Sequence, residues 1–212
     1  MSEASRAPGL ILLAAGNGTR MGGPKALLRY ADGTSLLTRQ VERMTAAAES
    51  RGLSASIIVV LGPALAEASR LVPAGVRIVE NPNHTDGLST SLNAGLRAVP
   101  HTTSGAVVSL LDLPDIPAEA YGRLVDAINP DALARAHWHS RPGHPVAIGR
   151  EYFAEAIDSA SGDEGLRVML RRHEVSDIEC ADLLPPELDG HFDVDTPEAA
   201  ARRGLHLNGI HS

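Results

Sequence analysis

The chain has 212 residues, a formal net charge of −7 and a single cysteine, Cys180. This length allows one large domain whose core needs no disulfide, and a lone cysteine cannot form an internal disulfide, as is usual for a protein of the reducing cytoplasm. The acidic balance disfavours a nucleic-acid partner. The apolar stretch at 10–15 is too short for a signal peptide or a membrane span. We therefore expect a cytoplasmic protein that binds neither nucleic acid nor a membrane.

The first half of the chain alternates short apolar runs with helical patterns. Strands are predicted at 10–14, 56–61, 76–79 and 106–111, and helices at 36–50, 64–71, 88–99 and 117–128. Short, wholly apolar strands separated by helices indicate parallel strands that are covered on both faces.

The second half is less regular. Strands are predicted at 132–138, 145–148 and 175–180, with a turn at 141–143, and helices at 152–159, 166–172 and 197–203. We therefore predict one three-layer, Rossmann-like α/β domain over residues 1–212, with a mostly parallel sheet. The tails at 1–7 and 206–212 are expected to be loosely held.

The loop after the first strand, in "LILLAAGNGTRMGGPKALL" (10–28), has the composition of a phosphate-binding loop. It matches neither standard template. The dinucleotide fingerprint needs a third glycine where Met21 stands, and the P-loop pattern is interrupted by Pro24 before Lys25. Its glycines would still let backbone N–H groups approach an oxyanion, and Arg20 and Lys25 suit a polyphosphate. A purely structural loop is the alternative.

Two acidic segments are candidates for metal binding. In "LLDLPDIP" (110–117), Asp112 follows the fourth predicted strand, and a carboxylate at that end of a parallel strand is well placed to hold Mg²⁺. Asp115 competes with it, but the prolines around Asp115 favour a turn or helix-cap role. In "FDVDTPEAA" (192–200), Asp193 and Asp195 point the same way in an extended segment, and spacing alone does not choose between them.

Three further stretches are candidates for substrate contacts. Ser89 and Ser91 stand at the start of a predicted helix, where hydroxyl and N–H groups can meet a base or a phosphate, although capping explains them equally well. The segments "RPGHP" (141–145) and "SGDEG" (161–165) are candidates for lining the pocket of a second substrate.

These motifs resemble those of the MobA/MocA-like nucleotidyltransferases of molybdenum cofactor maturation. "LAAGNGTRMGGPKALL" resembles that family's L-A-[AG]-G-x-[GS]-x-R-M-G-x-x-K loop. "NPNHTDGLSTSLNAGL" and "LLDLPDIP" resemble its next two blocks, with Leu88 and Leu113 in place of the usual methionines, and the segments at 141–153, 161–170 and 193–200 resemble its later ones.

Within the family, the chain is most similar to the cytidylyltransferases. The related guanylyltransferases read "LAGG" and "GxDK" in the first loop, where this chain has Ala15 and Pro24. A methyl group in place of a glycine fills space that a purine would need. A transferase that uses GTP or a sugar-phosphate acceptor, or a non-catalytic nucleotide-binding protein, is the alternative.

The resemblance implies that CMP is transferred from CTP to the terminal phosphate of molybdopterin, with Mg²⁺ as cofactor and pyrophosphate as the released product. A recipient molybdoenzyme or its chaperone would then be a partner. The implied catalytic residues are Arg20, Lys25, Asp112 and Asp195, of which Asp112 and Asp195 would hold the metal. The implied nucleotide contacts are Leu13, Ala14, Ala15, Gly16, Gly18, Arg20, Lys25, Ser89 and Ser91, and the acceptor contacts are Gly143, His144, Pro145, Gly162 and Asp163.

Overall fold

The structure, a computed structural model, describes residues 8–207. The strands are β1 (Gly9–Ala14), β2 (Leu28–Tyr30), β3 (Ser56–Leu61), β4 (Arg77–Glu80), β5 (Gly105–Leu110), β6 (Leu133–Trp138), β7 (Arg141–Gly149), β8 (Ser176–Glu179) and β9 (Leu205–Leu207). The α-helices are α1 (Leu36–Glu49), α2 (Leu65–Ala68), α3 (Leu88–Ala98), α4 (Ala118–Asp126), α5 (Phe153–Ser159), α6 (Arg167–Leu170) and α7 (Pro197–Ala201). Within residues 8–207, none of the helices combines the length and the apolar character that a membrane crossing requires.

The main sheet confirms the predicted α/β fold. Its strand order in the described part of the chain is β4-β3-β1-β5-β7-β6-β8, and β7 runs against its two neighbours while the other pairings are parallel. The N-terminal end of β7 therefore lies at the same edge as the carboxyl ends of β1 and β5. This reversal brings the segment at 141–145 beside the loops that follow β1 and β5.

Helices cover both faces of the sheet, and β1 shows why its sequence is wholly apolar. Leu10 and Leu12 belong to a core cluster with residues of α1 and α4, whereas Ile11 and Leu13 belong to a second cluster with residues of α3 and α5. Successive side chains of a strand point to opposite faces, so a strand that is buried on both faces needs an apolar residue at every position.

Helix α1 positions the turn that follows β5. Ser35 caps this helix by accepting a hydrogen bond from the Thr38 amide at 2.9 Å, which confirms the predicted start. Gln40 Nε2 then donates to the Leu113 carbonyl at 2.7 Å, and Gln40 Oε1 accepts from the buried Tyr121 hydroxyl at 3.0 Å. Because these polar groups are buried, their geometry is strongly constrained, and the backbone beside Asp112 is held in place.

The structure corrects the prediction in two places. The turn between β6 and β7 is formed by His139 and Ser140 (φ 48° and 65°) and not by residues 141–143, which already belong to β7. Strands β2 and β9 were not predicted, and they form a separate antiparallel pair. His206 and Leu207 are thus part of a strand and not of a loose tail, while residues 1–7 and 208–212 lie outside the described range.

Gly95 of α3 provides a test of this packing. A Cβ at this position would lie 2.7 Å from Ile11 Cγ2 of β1. We expect Gly95→Val to lower the free energy of unfolding by about 1–3 kcal/mol through overpacking. Arg97→Val, the same β-branched substitution at an exposed position of the same helix, should change it by less than about 0.5 kcal/mol. Urea unfolding followed by circular dichroism measures both, and equal losses would contradict the close approach of α3 to β1.

Candidate active site

The loop after β1 is closed on itself by Gly18. This residue has φ 59°, and a Cβ there would lie 1.9 Å from the Gly23 carbonyl oxygen. The Gly18 carbonyl accepts hydrogen bonds from the amides of Met21 and Gly23 at 2.9 and 3.1 Å. Met21 is only 2% exposed. The position at which the dinucleotide fingerprint requires a glycine is therefore a core anchor, and the loop has a conformation of its own.

Four predicted residues converge at the mouth of this loop. Lys25 Nζ donates to Asp112 Oδ2 at 2.8 Å and also to Asp195 Oδ1. Arg20 Nη2 donates to the other carboxylate oxygen of Asp195. The side chain of Lys25 is 15% exposed and that of Arg20 is 71% exposed. Lys25 is the only lysine of the chain, and we call these four side chains the charge cluster.

Three separate segments position the charge cluster. Lys25 opens the short 3₁₀ turn Lys25–Leu27, which leads directly into β2. Asp112 follows the end of β5, and its backbone carbonyl accepts a hydrogen bond from the Val194 amide at 2.9 Å. Asp195 precedes Thr196, whose hydroxyl caps α7 by accepting from the Ala199 amide. The predicted proline-initiated helix thus fixes the position of Asp195.

The pKa values within the charge cluster reflect this pairing. Burial disfavours the charged form of Lys25, but the charges and hydrogen bonds of Asp112 and Asp195 outweigh it and raise the pKa of Lys25. Burial also acts to raise the pKa of Asp195, but its hydrogen bonds and charge interactions with Lys25 and Arg20 prevail and lower it. Both groups are therefore held in their charged forms at neutral pH.

The two rival carboxylates have other surroundings. Burial and the nearby negative charges of Asp195 and Asp112 raise the pKa of Asp193, and this residue lines a neighbouring cavity. Asp115 does not cap α4, whose N-cap is Pro117 without a side-chain hydrogen bond. It forms a buried ion pair with Arg203 at 2.7 Å, with 4% of its side chain exposed. Neither residue contacts Lys25.

Asp112 and Asp195 fit a divalent cation. Both carboxylates converge on a single Nζ atom, and Asp112 Oδ1 is buried without a hydrogen-bond partner among the described residues. Within residues 8–207, no group of three or more acidic, histidine or cysteine side chains is arranged as a metal site. Mg²⁺ is often bound through one or two carboxylates together with substrate phosphates and water, and two converging carboxylates match that arrangement.

An open cavity of about 450 Å³ lies next to the charge cluster and reaches Asp112 and Asp193. Its apolar wall comes from β1, α3, β5 and β7, and its cationic residues are Arg135, Arg167 and Arg171. Three of the predicted acceptor contacts, Gly143, His144 and Asp163, line it, whereas Pro145 and Gly162 are not among its lining residues. None of these arginines is among the predicted site residues, although the i, i+4 spacing of Arg167 and Arg171 predicts that they share one helix face.

His144 lines this cavity from the reversed strand β7. Its Nδ1 lies 3.3 Å from the Val108 carbonyl oxygen, and its own carbonyl accepts a hydrogen bond from Trp138 Nε1 at 2.8 Å. Burial lowers the pKa of His144, with the hydrogen bond to Val108 acting in the opposite direction. A neutral imidazole that donates from Nδ1 to a carbonyl presents Nε2 as a hydrogen-bond acceptor.

The start of α3 is bonded to the loop at 161–165. The Ser89 amide donates to the Gly162 carbonyl at 2.9 Å, and the Leu88 amide donates to Asp163 Oδ1 at 3.2 Å. Ser91 Oγ accepts from Asn81 Nδ2 at 2.9 Å. These groups hold neighbouring protein segments together, so the amides of Leu88 and Ser89 are not free for a nucleotide. Contacts of the Ser89 and Ser91 side chains with a nucleotide remain a prediction.

The part of the chain that matches a known family contains most of the main sheet and three members of the charge cluster, Arg20, Lys25 and Asp112. Residues 10–177 match the family described as the MobA-like NTP transferase domain. The chain belongs to this family of nucleotidyltransferases. The predicted family resemblance is thereby confirmed.

Similar proteins carry different names. The chain is 36% identical over 203 residues to a protein of Paenarthrobacter nicotinovorans named nicotine blue oxidoreductase, covering 91% of this chain and 94% of that one. It is 26% identical over 191 residues to the molybdenum cofactor cytidylyltransferase of Escherichia coli K12, covering 89% and 91%. A crystal structure of Rv0371C from Mycobacterium tuberculosis H37Rv in complex with manganese is 25% identical, with a TM-score of 0.69 and coverage of 92% and 97%.

The buried, ion-paired state of Lys25 leads to a chemical prediction. Only the neutral amine reacts with acetic anhydride, so a raised pKa together with low exposure should make acylation of Lys25 at least about tenfold slower than acylation of an exposed lysine. The substitution Arg97→Lys supplies an exposed amine in the same molecule. Peptide mass spectrometry compares the two rates. Equal rates in the folded protein would contradict the charge cluster, and unfolding in urea should abolish the difference.

Proposed function

We propose that this protein transfers CMP from CTP to the terminal phosphate of molybdopterin or of the molybdenum cofactor, with release of pyrophosphate. The observation that carries the proposal is the convergence of Lys25, Arg20, Asp112 and Asp195 at the carboxyl edge of the sheet, next to a cavity with a partly cationic wall. Ligands of open α/β sheets bind at this edge. The acidic pair and the two cations are the parts that phosphoryl chemistry requires.

Each member of the charge cluster has a separate role in this proposal. Asp112 and Asp195 hold Mg²⁺, which offsets phosphate charge when bound; manganese in the crystal structure of the mycobacterial relative supports a divalent ion of this kind. Arg20 and Lys25 bind phosphate oxygens through charge-assisted hydrogen bonds. The backbone of the loop at 13–18 approaches the nucleotide. No covalent enzyme intermediate is needed, since positioning and charge stabilisation supply the catalysis.

The acceptor occupies the cavity. Its apolar walls suit a planar ring system, while Arg167 and Arg171 suit an anionic group. The proposed acceptor contacts are Gly143, His144 and Asp163, which line the cavity, while Pro145 and Gly162 adjoin them in the chain. His144 offers a neutral acceptor of hydrogen bonds. The cavity reaches Asp112, which supports the proposal that a phosphate bound at that end attacks the α-phosphate of CTP. A recipient molybdoenzyme or its chaperone then takes the product.

The nucleotide preference rests on Ala15 and Pro24. Ala15 is 4% exposed, and a backbone oxygen of this residue lies close to the end of β3, where a Cβ on Gly62 would approach it to 2.6 Å. We propose that the Ala15 methyl group, which stands where the related guanylyltransferases have a glycine, leaves less room for a base and so favours the smaller pyrimidine ring. We expect CTP to exceed GTP at least tenfold in kcat/KM, equivalent to about 1.4 kcal/mol of transition-state binding.

The experiment measures pyrophosphate release from each of the four nucleoside triphosphates with molybdopterin as the acceptor. The double variant Ala15→Gly/Pro24→Asp should reduce the preference for CTP without changing the melting temperature by more than a few degrees. Equal use of GTP by the wild-type protein would overturn the cytidylyl assignment. If none of the four triphosphates gave pyrophosphate release, transferase activity with this acceptor would be overturned.

The acid pair gives the sharpest test of the metal-dependent reaction. We expect Asp112→Asn and Asp195→Asn each to lower kcat by at least about 10²-fold, comparable to the loss of a key electrostatic group. Because both would act through one ion, the double variant should be far less impaired than the product of the two single losses. Removal of divalent ions with EDTA should abolish turnover.

Asp193→Asn is the matched control for this test, since Asp193 is two residues from Asp195 and does not contact Lys25. It should retain most of the kcat, and any loss should be confined to the KM for the acceptor because Asp193 lines the cavity. The assignment of Asp195 would be wrong if Asp193→Asn were inactive while Asp195→Asn retained turnover. Survival of turnover in EDTA, or full activity of both proposed ligand variants, would require the metal-dependent mechanism to be abandoned.

Oxidoreductase activity is the second candidate, favoured by the 36% identity to the protein named nicotine blue oxidoreductase. The loop after β1 argues against it, because a buried methionine replaces the third glycine of the dinucleotide fingerprint. The two candidates separate in one experiment. Incubation with nicotine blue and NADH or NADPH, followed through the absorbance of the reduced nicotinamide, should show no protein-dependent oxidation.

A further inference from the structure

A buried ion pair outside the charge cluster joins the turn after Asp112 to the end of the segment that carries Asp195. Arg203 Nε and Nη2 donate to Asp115 at 2.7 Å (Nε to Oδ1), 3.0 Å (Nε to Oδ2) and 2.7 Å (Nη2 to Oδ2). Only 4% of the Asp115 side chain and 18% of the Arg203 side chain are exposed. Asp115 Oδ2 also accepts from the Asp189 amide at 3.1 Å, and the Arg203 guanidinium lies 3.9 Å from the centroid of the Phe192 ring.

The position of this pair in the fold relates it to Asp112 and Asp195. Asp115 lies three residues after Asp112 in the turn that leaves β5, and Phe192 lies three residues before Asp195. Arg203 follows α7, the helix that begins two residues after Asp195. The Arg203–Asp115 pair therefore connects the far end of α7 to the Asp112 turn. The hydrogen bond from the Val194 amide to the Asp112 carbonyl joins the same two segments at a second point, near the carboxylates.

The geometry of the pair suits precise positioning. A guanidinium that donates two hydrogen bonds to one carboxylate fixes both distance and orientation, which a lysine ammonium does not. Stacking on Phe192 restrains the plane of the guanidinium further. Loss of one partner leaves a buried charge without compensation, so the surrounding loops must rearrange or admit water. Asp115 is three residues from Asp112 and Phe192 is three residues from Asp195, so either change reaches both carboxylates over a short stretch of backbone.

We propose that Asp115 and Arg203 are positioning residues that set the separation and orientation of the Asp112 and Asp195 carboxylates. Insofar as it concerns metal and CTP, this inference rests on the proposed function. Neither residue touches substrate. Both act through the turn that carries Asp112 and the segment that carries Asp195.

An ion pair elsewhere, with an arginine of similar exposure and more exposed carboxylates, provides the control. Arg51 donates to Glu119 and Asp126 at 2.9 and 2.8 Å, with 16% of its side chain exposed, and joins the end of α1 to α4. It also links segments that are distant in sequence, but it does not contact the Asp112 turn or the segment at 189–196. Arg51→Gln should therefore change stability without changing metal binding.

The experiment compares Arg203→Gln, Asp115→Asn, their double variant and Arg51→Gln. Electron paramagnetic resonance measures Mn²⁺ affinity in the presence of CTP, and initial rates with molybdopterin separate kcat from KM. Arg203→Gln and Asp115→Asn should each weaken Mn²⁺ binding about tenfold and lower kcat by a similar factor, the lower end of what the loss of a residue that orients a metal ligand costs. The double variant should be no weaker than the worse single variant. Arg203→Lys, which retains the charge without the planar fork, should lose affinity by an intermediate factor.

Hydrogen exchange of the Val194 amide provides a readout that needs neither metal nor substrate. Loss of the pair should accelerate its exchange at least about tenfold, whereas Arg51→Gln should leave it unchanged. Circular dichroism verifies that each variant is folded; if Arg203→Gln does not fold, Arg203→Lys serves in its place. Unchanged Val194 exchange in the folded variants would overturn the inference. Failure of the wild-type protein to bind Mn²⁺ and CTP would instead count against the proposed function, and the exchange result would still decide the positioning role.

Discussion

The site depends on one ammonium group placed between two carboxylates. Asp112 and Asp195 come from loops far apart in the chain, and without a cation between them their negative charges would repel each other in a partly buried position. Lys25 Nζ removes this repulsion, and the chain has no second lysine that could replace it. The carboxyl ends of the central strands, the loop after β1 and the start of α7 must all meet at this point for the charges to balance.

The last part of the described chain assembles the charge cluster. Asp195 begins this segment, α7 follows, Arg203 binds Asp115, and β9 then pairs with β2. Since β2 follows the Lys25 turn directly, the pairing of β2 with β9 ties Lys25 to the segment that carries Asp195. Each of the two strands is only three residues long. Their pairing therefore serves to position the segments that they join. They connect the first functional loop of the sequence to the last.

Local patterns predicted the elements that local forces determine. The strand at 56–61 and the helix that begins at residue 36 could be predicted because a β-branched apolar run and a capping hydroxyl act over a few residues. Strands β2 and β9 have too few residues to show the alternation of apolar and polar side chains that marks a strand. Each forms only by pairing with the other, and most of the chain separates the two. The choice between Asp193 and Asp195 also lay beyond the sequence. Both side chains point the same way in an extended segment, and only the folded position of Lys25, which contacts Asp195, distinguishes them.

The same reasoning separates the fold from the chemistry. A parallel sheet with a glycine-rich loop at its edge accommodates phosphate groups of many ligands, so the fold alone does not choose between a transferase and an oxidoreductase. The charge cluster adds what the fold leaves open. Hydride transfer has no need for two carboxylates that converge on one cation, whereas phosphoryl transfer must offset charge on a triphosphate. A relative with this sheet but another activity would therefore be expected to differ at Lys25, Asp112 or Asp195 before it differs in the core.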